Sequence, residues 1–541
     1  MHPSTLAKRV QILLSLAFIA FYFYGLGHLP LVGPDEPRYA QVAREMFLRN
    51  DWITPTLGGH TWFEKPALLY WLIIPAFKIF GVHEWSARLG PAICGLLTIA
   101  GMWSIARVIE RSQRVADPDG FSGWSFLIGA SCLGTIVFSR AVSFDIVITS
   151  TVTWALYFFL RSQLVSEPAK HNRFMLGFYV MVGVSVLAKG LVGIVIPLGV
   201  VGFYFLLRRE WPSRRLWLSL VWGVPASLVV TALWYGPVIN RHGWQFIDEF
   251  FIQHHFARYL SNKYHHPQPV YFYPVILLML AVPWTSYLID AFVSARKWQW
   301  RDESPVSRAS VLLLAWILFP ILFFSFSSSK LPGYILPVLP PALLLAGASA
   351  TKAVNQLDPR WPLKGAGIIC VVLGVFGAGY GFRAEHLSLL CVLSAGLPLI
   401  LAGLFALIWK REAWSPLLSI AGSLLVAVVV ILNCAAPIVS RRESARDLLA
   451  LADARGYSSV PILAMHGDDR SAQFYASGRV IYGNTGEVVA LDDAASLVDA
   501  ARNRKEKILA FIPAEDIELF QGRPGIEVIG ENGKLALLCL Y

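Results

Sequence analysis

The stretch VQILLSLAFIAFYFYGLGHLPLVGPDEPRYAQVARE, residues 10–45, changes character abruptly. Residues 10–29 hold no Asp, Glu, Lys or Arg, whereas Asp35, Glu36, Arg38, Arg44 and Glu45 crowd the segment behind them. A bilayer core about 30 Å thick is crossed by about 20 apolar helical residues, so residues 10–29 read as a transmembrane helix. Lys8 and Arg9 precede it as they would a signal peptide, but the run is long and ends in FYFYGLGHLP without a small-residue cleavage site. A retained helix with a charged segment at its far end is expected.

The rest of the chain has the same composition. Its 541 residues are 56% hydrophobic and 15% charged, with 33 Phe, 19 Tyr and 19 Trp, and the mean hydropathy is +0.55. Soluble domains are about 25% charged. The expected fold class is an α-helical polytopic membrane protein with about 13 transmembrane helices, near residues 10–29, 86–106, 124–142, 144–161, 174–188, 190–207, 216–238, 271–292, 309–327, 332–350, 365–381, 386–409 and 415–436. The net charge of +11 is spread in small groups between apolar runs, not gathered on one basic face, which excludes nucleic acid as a partner. The six cysteines show no C-x-x-C or Cys/His spacing, so neither a disulfide framework nor a zinc cluster is indicated.

Orientation follows from the short loops, because Lys and Arg accumulate on the cytoplasmic side. With a cytoplasmic N-terminus, every second gap is basic: Arg107/Arg111/Arg114, Arg161/Lys170/Arg173, Arg208/Arg209/Arg214/Arg215, Arg296/Lys297/Arg301/Arg308, Lys352/Arg360/Lys364 and Lys410/Arg411. The opposite side receives loops 30–85 and 239–270, the junctions at Asp145, Lys189 and SSSKLPGY, and everything after residue 437. Residues 1–437 thus form the membrane domain. Residues 438–541 read as a soluble α/β domain: SRRESARDLLALADARG has helical spacing closed by Gly456, and VPILAMHG, GRVIYGN, EKILAFIP and LALLCLY read as short strands. Neither G-x-x-x-x-G-K-[ST] nor G-x-G-x-x-G occurs in it, so it caps the membrane part and carries no nucleotide chemistry.

Six ionisable clusters fall on the outer side: GPDEPRYA, FEKP with Glu64 and Lys65, Asp145 in FSRAVSFD, Lys189 in LAKG, FFIQHHFARYLSNKYHH with Arg258, and SSSKLPGYILP with Lys330 and Tyr334. Each has a plainer reading alone. Asp35 and Arg38 suit a headgroup anchor, Lys189 a snorkelling lysine, the histidines a solvated loop, Glu64–Lys65 a surface pair, and Lys330 and Tyr334 an interfacial anchor. Ionisable groups at membrane boundaries are costly, and their joint occurrence on one side points to a shared polar cavity at the outer leaflet.

In order, GPDEPRYAQVAREM, DWITPTLGGHTWFEKPALLYW, AKG, FFIQHHFARY and KLPGYILP resemble the signatures of the C-type, polyprenyl-phosphate-sugar-dependent glycosyltransferases, most closely the branch that moves 4-amino-4-deoxy-L-arabinose to lipid A. The resemblance runs through about residue 340. It implies the C-type glycosyltransferase fold in a bacterial inner membrane, with a small periplasmic α/β domain and a periplasmic active site. The implied donor is undecaprenyl-phosphate-aminoarabinose and the implied acceptor lipid A, both reached among membrane lipids, with polymyxin resistance as the consequence; a monomer is expected. Asp35 of D-E-x-R-Y-A and Asp145 match the catalytic carboxylates. Lys65, Arg258 and Tyr334 match the groups that hold the lipid phosphate, and Arg38, Lys189 and Lys330 are further substrate-binding candidates. Glu64 and His255 match a pair that binds a divalent metal such as zinc, although His254 stands where relatives commonly have Glu.

The chemistry suits these assignments. The sugar's leaving group is a phosphate whose developing charge needs preorganised cations and donors, and arginine engages two oxygens at once. A phosphate acceptor is already ionised, so the carboxylates would orient it or stabilise an oxocarbenium-like sugar. Attack opposite the leaving group inverts the anomeric centre. The alternatives are a related transferase with another sugar or a protein acceptor, for which a carboxylate base would be mandatory, and a lipid or solute transporter, for which no internal repeat is visible.

Overall fold

The structure is a computed structural model that describes residues 3–112, 120–257, 268–296, 298, 300–356, 360–383, 385–465, 470–483, 488–491, 493–504 and 506–541. The chain divides into two units: Met1–Tyr24, Glu64–Leu69 and Gly90–Val430 form the first, and Gly25–Phe63, Tyr70–Leu89 and Ile431–Tyr541 the second.

The first unit is helical. Counting over the whole chain, nine helices among the described residues are long and apolar enough to cross a membrane, ten if one bent pair is a single span. A helical element stands at each of the thirteen expected positions, but several are not single straight rods. The expected span 124–142 is Phe121–Ser131 and Leu133–Ser139, bent by 58° at Cys132, whose backbone is extended (φ −74°, ψ 132°). The expected span 271–292 is likewise split into Phe272–Leu280 and Thr285–Ala295, with Pro283 in the break. Backbone groups freed inside a bilayer must find partners in the protein. The two breaks supply one another: Leu133 N–H donates to the Val282 carbonyl at 3.0 Å and the Cys132 thiol to the Leu280 carbonyl at 2.9 Å.

The expected span 332–350 opens as a 3-10 turn, Pro332–Val338, before becoming the helix Leu339–Gln356, as prolines without N–H groups require. Helix Arg214–Ile247 kinks at Gly243, where φ is +55°, and continues as the π-helical turn Asp248–Ala257. The expected outer loop 239–270 is therefore helical up to residue 257. Helices Trp361–Arg383 and Leu389–Ile408 form an antiparallel hairpin in which glycines seven apart face each other. A Cβ on Gly403 would lie 2.5 Å from the Gly367 carbonyl oxygen and one on Gly396 2.9 Å from that of Gly374, the close backbone approach that small residues permit between membrane helices.

The second unit joins the charged segment behind the first helix to the tail. Residues 30–85, expected as loop, contain the helices Glu36–Leu48 and Leu68–Phe80 and the hairpin β1 (Thr56–Leu57) and β2 (His60–Thr61), turned at Gly58 and Gly59 with φ of +61° and +82°. Glu45 pins that turn by accepting from Gly58 N and Thr56 Oγ1, both at 2.7 Å. In the tail, β3 (Ile462–Met465), β4 (Ala490–Leu491), β5 (Ile508–Pro513), β6 (Ile526–Glu531) and β7 (Leu535–Leu540) form one mixed sheet in the order β4-β3-β5-β7-β6. Side chains alternate between its faces with period two. Ile462, Leu509, Phe511 and Leu537 pack on one side with Leu448 and Leu449; Leu463, Ile508, Ala510 and Leu538 pack on the other with Leu497.

Three of the four expected strands are β3, β5 and β7. The fourth, GRVIYGN, forms isolated bridges alone, Ile462 to Val480 and Tyr482 to Val488. The expected helix is two, Ala436–Arg442 and Arg446–Ala454, and Gly456 closes the second with φ of +87°. The cysteine expectation is corrected: Cys391 and Cys434 are disulfide-bonded, and Cys94, Cys132, Cys370 and Cys539 are free. The spacing of these two residues, far apart in sequence, carried no signal for it.

Candidate functional site

Within the first unit, Asp145 sits in the first turn of helix Phe144–Gln163, where Ser143 accepts from its backbone N–H at 3.1 Å. A carboxylate is favoured there by the helix dipole. Lys189 is the last residue of helix Pro168–Lys189, where a cation is favoured for the converse reason. These two helix ends meet, and the Lys189 ammonium donates to Asp145 Oδ1. The same Nζ lies 4.9 Å from the centroid of the Tyr334 ring, close enough for a cation–π contact. Beside Tyr334, Gly333 admits the carboxylate: a Cβ there would overlap Asp145 Oδ2.

Three expected site residues, Asp145, Lys189 and Tyr334, are thus brought together. The K-L-P-G-Y signature contributes a glycine whose role sequence reading missed. Lys330 is buried at 7% exposure and donates to the Ser327 carbonyl at 2.8 Å. Glu64 and Lys65 pair with each other at 2.7 Å, both mostly buried. Arg258, and with it His265 and His266, lies outside the described residues, as does the side chain of His255. Glu64 therefore stands as the sole described member of the expected metal pair, its carboxylate bound to a lysine. No group of three or more His, Cys, Asp or Glu side chains that would hold a metal occurs among the described residues. With the His255 side chain outside the described residues, the Glu64–His255 pair stays an expectation, and no chemistry is derived through a metal.

Within the second unit, Asp35 precedes helix Glu36–Leu48 and accepts from Arg38 at 2.5 Å; its side chain is 54% exposed, whereas that of Arg38 is 15% exposed. Arg38 lies 5.2 Å from the centroid of Trp62 and 5.5 Å from that of Tyr39, so the guanidinium sits among aromatic rings beside an exposed carboxylate. The neighbouring Glu36 has another role. It is buried and receives two hydrogen bonds from Arg88, at 2.7 and 2.8 Å. Arg88 also caps the carbonyls of Leu26, Leu29 and Pro30. The chain behind the first span is fastened by this pair, which sequence reading did not single out.

The tail touches the same segment. The Tyr475 hydroxyl accepts from Leu31 N–H at 2.7 Å and donates to Glu84 at 2.9 Å; Arg446 reaches Glu84 at 3.2 Å, and Arg44 donates to the Phe474 carbonyl at 3.0 Å. Burial and the neighbouring Glu84 carboxylate push the Tyr475 hydroxyl well above its ordinary range.

Residues 11–247 match the dolichyl-phosphate-mannose-protein mannosyltransferase family. The undecaprenyl phosphate-alpha-4-amino-4-deoxy-L-arabinose arabinosyl transferase of Pseudomonas aeruginosa PAO1 is 30% identical over 362 residues, covering 66% of this chain and 62% of that protein. The enzyme of the same name from Serratia proteamaculans is 29% identical over 389 residues, covering 68% of this chain and 65% of that protein. The chain thus spans less than about two thirds of the length of the curated relatives it matches. The crystal structure of ArnT from Cupriavidus metallidurans bound to undecaprenyl phosphate superposes with a TM-score of 0.78 at 25% identity, over 98% of this chain and 97% of that chain.

Proposed function

From a multi-span membrane protein that has the C-type glycosyltransferase fold and is related in sequence to the aminoarabinose transferases, we propose an enzyme that transfers 4-amino-4-deoxy-L-arabinose from undecaprenyl phosphate to phosphate groups of lipid A. The transfer takes place at the periplasmic face of the bacterial inner membrane and confers resistance to polymyxin and cationic antimicrobial peptides. The observation that carries this reading is the convergence of Asp145, Lys189 and Tyr334 at two helix ends and the K-L-P-G-Y turn.

In this reading Lys65, Arg258 and Tyr334 cradle the lipid phosphate and meet the negative charge that grows on it as the sugar departs. Lys189, donating to Asp145 Oδ1, fixes that carboxylate in direction. Asp145 and the open carboxylate of Asp35 stabilise the cationic sugar and orient the acceptor. An ionised phosphate acceptor attacks opposite the leaving phosphate, inverting the anomeric carbon, and no base has to remove a proton. Two observations support a periplasmic site. The basic gaps alternate along the whole chain. Cys391 and Cys434, which that topology puts at outer helix ends, are disulfide-bonded, as suits an oxidising compartment.

The family match over residues 11–247 favours a second reading, transfer to a protein hydroxyl, in which a carboxylate must act as base. Mass spectrometry of lipid A from cells with and without the protein separates the two. One added aminopentose per phosphate, dependent on the protein, is expected. Unchanged lipid A in a strain that makes the donor would remove the first reading. An alkaline phosphatase fusion after Tyr541 should be active; an inactive one would invert the orientation.

A further inference from the structure

At the opposite end of the first unit, the end carrying the basic gaps, a cavity of about 450 Å³ opens between helices Thr285–Ala295, Pro305–Ser325 and Leu339–Gln356. Its size is that of a small-ligand site, and the chemistry proposed above does not use it. Asp290 lines it at 8% exposure. Ionisable residues within membrane helices are rare and mark function when they face a cavity. One carboxylate oxygen accepts from Ser349 at 2.5 Å; the other has no hydrogen-bonding or ionic partner among the described residues. A helix-to-helix tie would need only the Ser349 bond and no cavity.

The same cavity presents an exposed cation. Lys352 lines it and forms no ion pair among the described residues, Asp290 included. Ser307 and Ser310, in the first two turns of helix Pro305–Ser325, line it as well, as does Asp302 just before that helix, a second carboxylate in the same cavity. A helix N-terminus with nearby hydroxyls and a lysine suits a phosphate, and an unneutralised carboxylate suits an ammonium. Opposite charges that share a cavity without pairing are complementary to a ligand that carries both, set apart by a short linker. Trp298 also lines the opening, an aromatic of the kind that settles at headgroup level.

We propose that this cavity binds a phosphoethanolamine group, its ammonium on Asp290 and its phosphate on Lys352 and the serine hydroxyls of helix Pro305–Ser325. Such a group comes from an aminophospholipid headgroup or from free phosphoethanolamine, and the two sources are separable by experiment.

The full-length protein, purified in detergent, would be incubated with equal amounts of phosphatidylethanolamine and phosphatidylglycerol of matched chains, and retained lipid counted by native mass spectrometry. Preference for phosphatidylethanolamine of at least tenfold is expected, falling to near unity in Asp290→Asn and in Lys352→Gln. Because Lys352 is exposed, its variant folds even where Asp290→Asn does not. Free phosphoethanolamine is tested by thermal unfolding: a rise in Tm equal to that from the lipid assigns the site to a soluble ligand of the same chemistry, and no rise assigns it to the lipid. Equal retention of both lipids by the wild type would overturn the proposal. So would an unchanged preference in both variants.

Discussion

Asp35 and Glu36 are adjacent and both acidic, and the structure gives them opposite fates under the same isosteric change. Glu36 and Arg88 are 7% and 5% exposed, and the guanidinium spends all five of its N–H donors, two on Glu36 and three on the carbonyls of Leu26, Leu29 and Pro30. Glu36→Gln leaves that charge buried without its counter-ion and turns an amide donor toward the guanidinium. Breaking a buried pair from one side costs about 3–5 kcal/mol. Glutamine keeps one acceptor, so the lower figure, about 3 kcal/mol, is expected. That raises the population of the locally opened segment about a hundredfold, at about 1.4 kcal/mol per decade.

Limited proteolysis of residues 25–63 in the purified protein reads this directly, because cleavage tracks the open population when reclosing is fast. Asp35→Asn removes an exposed ion pair contributing about 0–1 kcal/mol, so cleavage should rise by less than about fivefold. In the proposed site the same change removes a charge that acts on the reacting sugar, about 2.7–4 kcal/mol, and transfer should fall a hundredfold or more. Glu36→Gln protein, assayed before it is cleaved, should keep a transfer rate near wild type. Wild-type protease resistance in Glu36→Gln would show that the buried pair does not hold the segment. Wild-type transfer by Asp35→Asn would remove Asp35 from the chemistry.

Lys65→Ala, Arg258→Ala and Tyr334→Phe should each lower donor use by one to two decades, the value of a hydrogen bond to a charged group at about 1.5–3 kcal/mol; wild-type turnover in all three would dissolve the phosphate cradle. Gly333→Ala places a methyl where Asp145 Oδ2 stands, so transfer should fall at least as far as in Asp145→Asn, and a fully active variant would place the carboxylate elsewhere. The Tyr475 hydroxyl titrates above its ordinary value of 10.0 in the folded protein; a group raised in this way contributes stability that is complete below pH 10 and lost as pH climbs through the folded value. Denaturation of the second unit should therefore steepen above pH 10 in the wild type and not in Tyr475→Phe, and identical alkaline limbs would refute the assignment.

Span positions were legible because length and apolarity are local properties, but the break at Pro283 was passed over inside a span expected to run unbroken from 271 to 292. The bend at Cys132 was not legible, because its cause lies in another helix, at Leu280 and Val282. Of the charges behind the first span, Asp35 and Arg38 were assigned to the convergent site, and Glu36, Arg44 and Glu45 were left without a role. The structure divides them. Asp35 and Arg38 remain beside open space, while Glu36, Arg44 and Glu45 bind Arg88, the Phe474 carbonyl and the hairpin turn, partners up to 430 residues away. A charge that fastens backbone and one that meets substrate look alike in sequence. Asp145 and Lys189 were both singled out but not joined, since nothing local in AKG names its partner. In the tail, β6 escaped because IEVIGE, with a bulge between Val528 and Gly530, carries too little alternation. GRVIYGN alternates well, yet makes only bridges.

The order in which the ribosome delivers the second unit has its own consequence. Its outer pieces end at Leu89 and its remainder begins at Ile431, so about 340 residues of membrane helix are made in between. At roughly 5–20 residues per second, the segment bearing Asp35 waits some tens of seconds outside the membrane before Tyr475 and Arg446 arrive. The strand that joins β5 to β6, Leu535–Leu540, is translated later still. A nascent chain stalled after its last apolar span would carry Asp145, Lys189 and Tyr334 already assembled, but with the segment bearing Asp35 unlatched and open to proteases on its side of the membrane. Quality control thus has a built-in time window in which to recognise an unfinished molecule.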